Sequence, residues 1–345
     1  MDREGFIELS REDEKRLSLP EKEKYYFQLR EYALKRKLET TTPGALTIAP
    51  KFKRIVNKVN IFVSQVLAGG KFEYVVDGLE NIPEKGGVLF ASTHQGILDN
   101  VCWTPSNPRH TIVLHTADTN KLMIWAQLWT GLILINRNKK AKSNRRGDAK
   151  MDIISALLKG HAVLMCPEAT WNLSPNKLHL PMFIGAIEIA QKANVPIIPI
   201  VTEFTHDTST DRERITKIHI RYGKPIYISI HDKLSQKLVQ YQEAVSTIRW
   251  ELIEEKGLFH RTGVNNWDYI NFLKGNYRWL QAKDSKVGWQ AMLEIERKNI
   301  NGWNDDFYLF HHINEVPFNE NGMLLETEEV RKLKRINKRE KLHKR

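Results

Sequence analysis

The stretch that decides the fold is residues 88–99, VLFASTHQGILD. Its first four residues form an uncharged apolar run, which is typical of a buried strand. Two polar residues end the run, His94 follows, and apolar residues recur at helical spacing around Asp99. A histidine at a strand end, with a carboxylate a short turn downstream, is the layout of a general base and its orienting partner. Within one straight helix a five-residue spacing would set the side chains roughly 140° apart. The pair therefore predicts a bend between a strand and a helix.

The spacing alone does not decide the role of His94. His206 and Asp211 have the same separation, but they lie in the polar stretch THDTSTDRER, which predicts a solvated loop. On spacing alone, a structural histidine capped by Asp99 is a better interpretation than a general base. The sequence around each pair has to separate these alternatives.

Apolar strand runs alternate with helix-like stretches along the middle of the chain. This alternation predicts an α/β fold, with a mostly parallel central sheet and helices on both faces. His94, Arg137 and Glu168 each follow an apolar run. Because ligands bind beyond the carboxyl ends of parallel strands, we expect these three residues to converge at one edge of the sheet. The predicted strands are residues 71–77, 88–91, 111–117, 132–136, 162–167 and 195–203, with one or two more within 217–228.

The net charge of +12 is concentrated in two places. Residues 331–345 contain nine Lys and Arg against one Glu, and residues 137–150 contain seven against one Asp, so the rest of the chain is slightly acidic. Two basic clusters suggest two anionic targets, such as a phosphate ligand and a membrane surface. Nucleic acid is the weakest of the three candidate partners, because no recognition motif accompanies the charge. A merely solvated tail is an equally good interpretation of residues 331–345.

Other features bear on compartment and membrane contact. Two cysteines, Cys102 and Cys166, fit a reducing cytoplasm. The longest charge-free run, residues 122–135, is shorter than the roughly 20 residues that a membrane span needs. Residues 48–68 predict a basic amphipathic helix, which either lies on a membrane or packs on the core. Scattered histidines and unpaired cysteines predict no metal site.

Four blocks of the sequence, taken together, resemble a known family. STHQGILDN at 92–100 resembles the first block of the glycerolipid acyltransferases of the 1-acylglycerol-3-phosphate acyltransferase type, with its hallmark of His, four residues and Asp. GLILINR at 131–137, CPEATWN at 166–172 and VPIIPI at 195–200 resemble the second, third and fourth blocks, in family order. The resemblance covers roughly residues 70–230.

The resemblance implies a peripheral O-acyltransferase of phospholipid biosynthesis. It would move a fatty acyl group from acyl-CoA or acyl carrier protein to the hydroxyl of a lysophospholipid, on the inner face of the cell membrane, with no other cofactor. His94 would deprotonate the hydroxyl and Asp99 would orient His94. Cys166 as an acylated nucleophile is the rival mechanism, although a buried packing thiol is the better interpretation. A docking or lipid-binding protein without catalysis is the alternative function.

The resemblance also implies the residues that bind the acceptor. Arg137 would contact a phosphate, because a guanidinium binds it in a bidentate way, and Arg145 and Arg146 would assist. Glu168 would accept hydrogen bonds from the glycerol portion of the acceptor or order the phosphate-binding arginines, and a structural salt bridge is its alternative role. Thr170 and Trp171 would contact the rest of the acceptor. Trp171 stands where the family usually has Arg, so a non-phosphorylated or sugar headgroup remains an alternative acceptor. Ala169 stands where the family usually has Gly, which restricts positive φ.

The predicted organisation has three parts. Residues 1–45 form a charged helical N-terminal segment, residues 46–256 the acyltransferase domain, and residues 257–345 an aromatic-rich C-terminal extension that ends in the basic tail.

Overall fold

The computed structural model describes residues 6–42, 51–67, 71–94, 98–117, 131–136, 145–169, 172, 178–207 and 214–255. Within these residues, seven strands form one sheet in the order β1-β7-β6-β2-β5-β3-β4. Neighbouring strands are parallel except for β6 and β7, so the predicted mostly parallel sheet is confirmed. The strands are β1 (Glu73–Asp77), β2 (Val88–Ser92), β3 (Thr111–Thr116), β4 (Leu132–Ile135), β5 (Ala162–Met165), β6 (Ile197–Asp207) and β7 (Arg214–Tyr222).

The described helices cover both faces of this sheet, as predicted. Successive residues of β2 point to opposite faces, so Leu89 packs in one core cluster and Phe90 in the other. The first cluster joins the sheet to the helices at residues 19–35, 146–158, 185–193 and 234–255, and the second joins it to the helix at residues 98–106. The helices are α1 (Arg11–Arg16), α2 (Leu19–Lys35), α3 (Lys53–Leu67), α4 (Leu98–Ser106), α5 (Arg146–Leu158), α6 (Gly185–Ala193) and α7 (Leu234–Glu255).

The N-terminal segment is helical, as predicted, and it shares a core with the sheet. A capping box formed by Ser18 and Glu21 begins α2. Tyr26 and Leu29 of this helix are at most 1% exposed and belong to the same cluster as the central strand β2. The predicted boundary near residue 45 therefore separates elements that pack together. The C-terminal extension lies outside the described residues, so the three-part organisation stays a prediction.

Residues 40–42 protect an edge of the sheet. The sequence analysis does not predict this contact. The amide of Leu134 donates to the carbonyl of Thr40, and the amide of Thr42 donates to the carbonyl of Leu132, each at 2.8 Å. The segment thereby satisfies backbone groups of β4, the last strand of the sheet.

The loop prediction for His206 is wrong. β6 continues through His206 to Asp207, and His206 is paired with Ile215 of β7 beyond a register shift at Thr205. The antiparallel ladder provides backbone partners that outweigh the polar composition of this stretch. Asp211 lies outside the described residues, so the structure describes no distance between His206 and Asp211.

Across the described residues, no helix is both long enough and apolar enough to cross a membrane. Most of the apolar run at 122–135 lies outside those residues.

Candidate active site

His94 and Asp99 meet at the junction of β2 and α4. β2 ends at Ser92 and α4 begins at Leu98, which gives the predicted bend between a strand and a helix. His94 Nδ1 lies 3.0 Å from Asp99 Oδ2. The Asp99 side chain is fully buried, whereas the His94 side chain is 16% exposed. A buried carboxylate thus supports an imidazole that remains accessible.

This contact fixes the tautomer of His94. A carboxylate oxygen accepts, so Nδ1 carries the proton and donates it to Asp99. Nε2 then holds the lone pair that a general base needs. Asp99 is also placed to stabilise an imidazolium, should Nε2 take a proton.

An indole that the sequence analysis did not single out lies beside the imidazole. The ring centroids of His94 and Trp103 are 6.0 Å apart. Trp103 is 1% exposed, and its Nε1 donates to Thr202 Oγ1 at 3.0 Å. The helical spacing of four residues between Asp99 and Trp103 was the available signal, since it puts both on one side of α4.

The backbone of His94 is held by the segment after β5. The His94 amide donates to Glu168 Oε2 at 2.7 Å, and the His94 carbonyl accepts from the amide of Asn172 at 2.5 Å. The other Glu168 oxygen, Oε1, accepts from the amide of Leu180 at 2.7 Å. His94 and Glu168 therefore lie together, as predicted, but the carboxylate of Glu168 contacts the main-chain amide of His94 and not its imidazole.

Glu168 has partners other than those predicted. Its side chain is buried, and each of its oxygens accepts a backbone hydrogen bond from the chain itself, while a contact with the acceptor stays a prediction. Burial raises the pKa of Glu168 to about 7, and the nearby Asp99 acts in the same direction. The two backbone donors and Arg249 oppose that rise.

The turn around Glu168 is tight. The amide of Ala169 donates to the carbonyl of Cys166 at 3.0 Å, and Ala169 has φ of 56°. This is the left-handed conformation that the family's usual Gly adopts without steric cost. Burial raises the pKa of the Cys166 thiol well above its usual value, as do Asp99 and Glu168 nearby. Since the thiolate is the nucleophilic form, this environment favours the interpretation of Cys166 as a packing residue.

The predicted basic residues are only partly described. Arg137, Thr170 and Trp171 lie outside the described residues. Arg145 and Arg146 are exposed at the start of α5, where Arg145 Nε donates to Asp148 Oδ2 at 2.7 Å. Because α5 leads from the carboxyl end of β4 back to the amino end of β5, its first turn lies at the same edge of the sheet as His94.

One cluster of potential metal ligands lies away from this edge. Asp77, His219 and Glu255 place ligand atoms within 4.8 Å of one another. Arg221 Nη2 donates to Asp77 at 3.0 Å and to Glu255 at 2.8 Å. A guanidinium thus already neutralises both carboxylates, and we interpret the cluster as an ion-pair network that ties β1 and β7 to α7.

A histidine–aspartate pair beyond the carboxyl end of a central parallel strand has the geometry to activate a hydroxyl by general-base catalysis. Comparison with known proteins supplies the family. The Acyltransferase family model matches residues 73–203, which contain the His94–Asp99 pair and Glu168. Residues 73–203 thus carry an acyltransferase domain, and the chain is an acyltransferase.

Individual relatives are distant. The 1-acyl-sn-glycerol-3-phosphate acyltransferase of Borreliella burgdorferi is 24% identical over 206 residues, which are 58% of this chain and 78% of that protein. The crystal structure of the 1-acyl-sn-glycerophosphate acyltransferase PlsC from Thermotoga maritima aligns with 19% identity and a TM-score of 0.43. That alignment covers 60% of this chain and 81% of the Thermotoga chain.

Proposed function

We propose that this acyltransferase moves a fatty acyl group from acyl-CoA or acyl carrier protein to the hydroxyl of a lysophospholipid such as 1-acylglycerol-3-phosphate. The observation that carries the proposal is the contact of 3.0 Å between His94 Nδ1 and buried Asp99, inside the segment that matches the family. The name of the Borreliella relative supports the choice of acceptor. Acyl thioester and acceptor are substrates, and the proposal includes no resident cofactor.

In the proposed reaction, Nε2 of His94 removes the proton from the acceptor hydroxyl. The hydroxyl oxygen attacks the thioester carbonyl, a new C–O bond forms, and the C–S bond breaks as the tetrahedral intermediate collapses. The imidazolium returns its proton to the leaving thiolate, so protons and electrons balance without an acyl-enzyme. Asp99 supports each step by holding the tautomer and by stabilising the imidazolium.

The acceptor phosphate would bind at the basic edge of the sheet. We assign this contact to Arg137, with help from Arg145 and Arg146 at the first turn of α5. The positive end of the α5 dipole adds to their attraction for an anion. Thr170 and Trp171 follow the Glu168 turn, and we propose that they contact the remainder of the headgroup.

We further propose that the protein works as a peripheral enzyme on an anionic membrane, at the inner face of the cell membrane, and that α3 is the docking surface. Five apolar side chains of residues 51–66 are more than half exposed: Phe52, Ile55, Val59, Phe62 and Val66. Residues 51–67 contain four Lys and Arg and no acidic residue. Such a helix suits the boundary between anionic headgroups and acyl chains. α3 packs along α4, which carries Asp99, so a docked α3 would keep the site close to its lipid acceptor.

The purified protein is incubated with an acyl donor and a panel of lyso-acceptors, and the products are identified by mass spectrometry. The donor is either acyl-CoA or the acylated form of acyl carrier protein, each with a labelled acyl group. The panel contains 1-acylglycerol-3-phosphate, lysophospholipids with larger headgroups and a non-phosphorylated lyso-glycolipid. Acylated lysophosphatidate as the main product supports the proposal. Preference for the non-phosphorylated acceptor would overturn the phosphate assignment, and binding of all lipids with no transfer would favour a docking protein without catalysis.

The docking surface has its own test and a matched control. Val59→Asp puts a charge in the exposed stripe of α3, while Val239→Asp makes the same change at a half-exposed position of α7. Losing one buried Val costs about 1.5–3 kcal/mol, so Val59→Asp should weaken sedimentation with anionic vesicles about tenfold or more. Val239→Asp should bind like wild type. Equal binding by both variants would show that α3 does not dock.

A further inference from the structure

Glu168 and the main chain of His94 form a contact that the proposed reaction does not use. Glu168 is 1% exposed, although it carries a carboxylate. Oε2 accepts from the amide of His94 and Oε1 from the amide of Leu180, each at 2.7 Å. A buried carboxylate that accepts two backbone donors links the segment carrying the general base to a second segment 86 residues later in the chain.

The same turn holds His94 from its other side. The His94 carbonyl accepts from the amide of Asn172, four residues after Glu168. Both donor and acceptor of the His94 backbone are therefore satisfied by residues that follow β5. Because β2 and β5 are neighbouring parallel strands, this turn lies directly beside the end of β2.

The segment that donates to Glu168 Oε1, around Leu180, is itself held in place by α7. Arg249 of α7 is 6% exposed, and its Nη1 donates to the carbonyl of Leu178 at 2.8 Å. The Leu178–Leu180 stretch thus lies between Arg249 and Glu168. A displacement of the carboxylate would be resisted from α7 and would be transmitted to the backbone of His94.

We propose that Glu168 is a positioning residue of the acyl-transfer reaction. Its carboxylate holds the main chain of His94, so that the imidazole stays oriented toward the acceptor hydroxyl. The inference rests on the proposed function, and it gives this glutamate a role through the general base instead of a contact with the substrate.

Each of the two backbone donors needs an acceptor oxygen on the side chain of Glu168. A carboxylate offers an acceptor on each oxygen, whereas Gln offers one carbonyl oxygen and an amide group that would face an N–H. The groups around Glu168 shift its pKa in opposite directions. Burial, with Asp99 of α4, raises the pKa of Glu168 to about 7, while the two backbone donors and Arg249 of α7 act to lower it. Tyr241 of α7 and Cys166 are the other titratable groups nearby, and burial keeps both protonated by raising their pKa values.

Glu168→Gln tests the proposal, because it keeps the shape and removes one acceptor. A misplacement of about 1 Å costs up to 10²-fold in rate, so we expect kcat to fall about 10- to 100-fold. The KM values for acyl thioester and acceptor should stay within about twofold of wild type, since no substrate contact is lost. Glu188→Gln is the matched control. That carboxylate is also buried, but it pairs with Lys192 and Arg11 on α6 and α1, so its variant should lose stability and keep kcat.

A measurement on the wild-type protein keeps the test independent of whether the variant folds. With ¹⁵N-labelled histidine, the His94 amide signal is identified by its absence in His94→Ala. Its proton should lie downfield, as expected for a donor to a carboxylate, and it should shift as Glu168 titrates near pH 7. In Glu168→Gln it should move upfield.

The outcomes separate this inference from the function beneath it. A raised KM for the acceptor with unchanged kcat would show that Glu168 touches the substrate, and would overturn the inference. So would full activity in Glu168→Gln while His94→Ala is inactive, which would leave the proposed reaction intact. If His94→Ala is also fully active, the proposed reaction fails and the positioning role fails with it, whatever the amide signal shows.

Discussion

The stability of the protein should depend on pH through Glu168, and Glu168→Gln should remove that dependence. The side chain is 1% exposed, and burial raises its pKa from the usual 4.5 to about 7. The amide of Gln does not titrate. A comparison of the two proteins across pH therefore isolates this one carboxyl group.

The sign and size follow from proton linkage. Because the folded state binds the proton more tightly than the unfolded state, the stabilising contribution of protonated Glu168 is fully present below pH 4.5. It is lost as the pH rises to about 7. At about 1.4 kcal/mol for each unit of pKa, wild type should lose about 2 to 3 kcal/mol relative to Glu168→Gln between pH 5 and pH 8.

Urea unfolding at pH 5, 6, 7 and 8 measures this difference directly. The free energy of unfolding of each protein is extrapolated to water, and the gap between the two proteins is plotted against pH. Groups that titrate alike in both proteins cancel. A gap that stays constant across this range, or that changes in favour of wild type as the pH rises, would refute the reasoning about the buried carboxyl.

Three further predictions concern neighbouring positions. Cys166→Ala should keep most of the activity, because direct transfer needs no acyl-enzyme; an acyl group recovered on Cys166 by mass spectrometry would contradict this. Ala169→Gly should stabilise the protein by about 0.5 to 1 kcal/mol, since relief of left-handed strain exceeds the extra chain entropy of Gly; a lower melting temperature would argue against that strain. Arg137→Ala should raise KM for a soluble short-chain acceptor that carries a phosphate, and equal KM values would remove Arg137 from the site.

The sequence predicted those parts of the fold that depend on local patterns. Apolar runs located the strands, and their alternation with helices predicted the parallel sheet. The spacing of His94 and Asp99, five residues apart, predicted a contact across one bend, because so short a loop leaves few alternatives. β6 was predicted too short, since its last residues are polar and depend on β7 across the ladder.

The partners of Glu168 could not be predicted from the sequence. Its carboxylate meets an amide 74 residues earlier in the chain, and backbone donors leave no trace in side-chain identity. The cluster of Asp77, His219 and Glu255 was missed for a similar reason, because two strands and a helix far apart in sequence bring it together. The positive φ of Ala169 was signalled only by the Gly that the family usually has at this position.

The central claim is that His94 is the general base, and its removal is the most direct test. His94→Ala is compared with His231→Ala, which changes an exposed histidine near the start of α7, in an assay that follows labelled acyl groups from thioester to lyso-acceptor. Loss of a general base costs about 10²–10⁴ in rate, so His94→Ala should lose that factor in kcat while His231→Ala stays at the wild-type rate. A folded His94→Ala protein that transfers acyl groups as fast as His231→Ala would contradict the account.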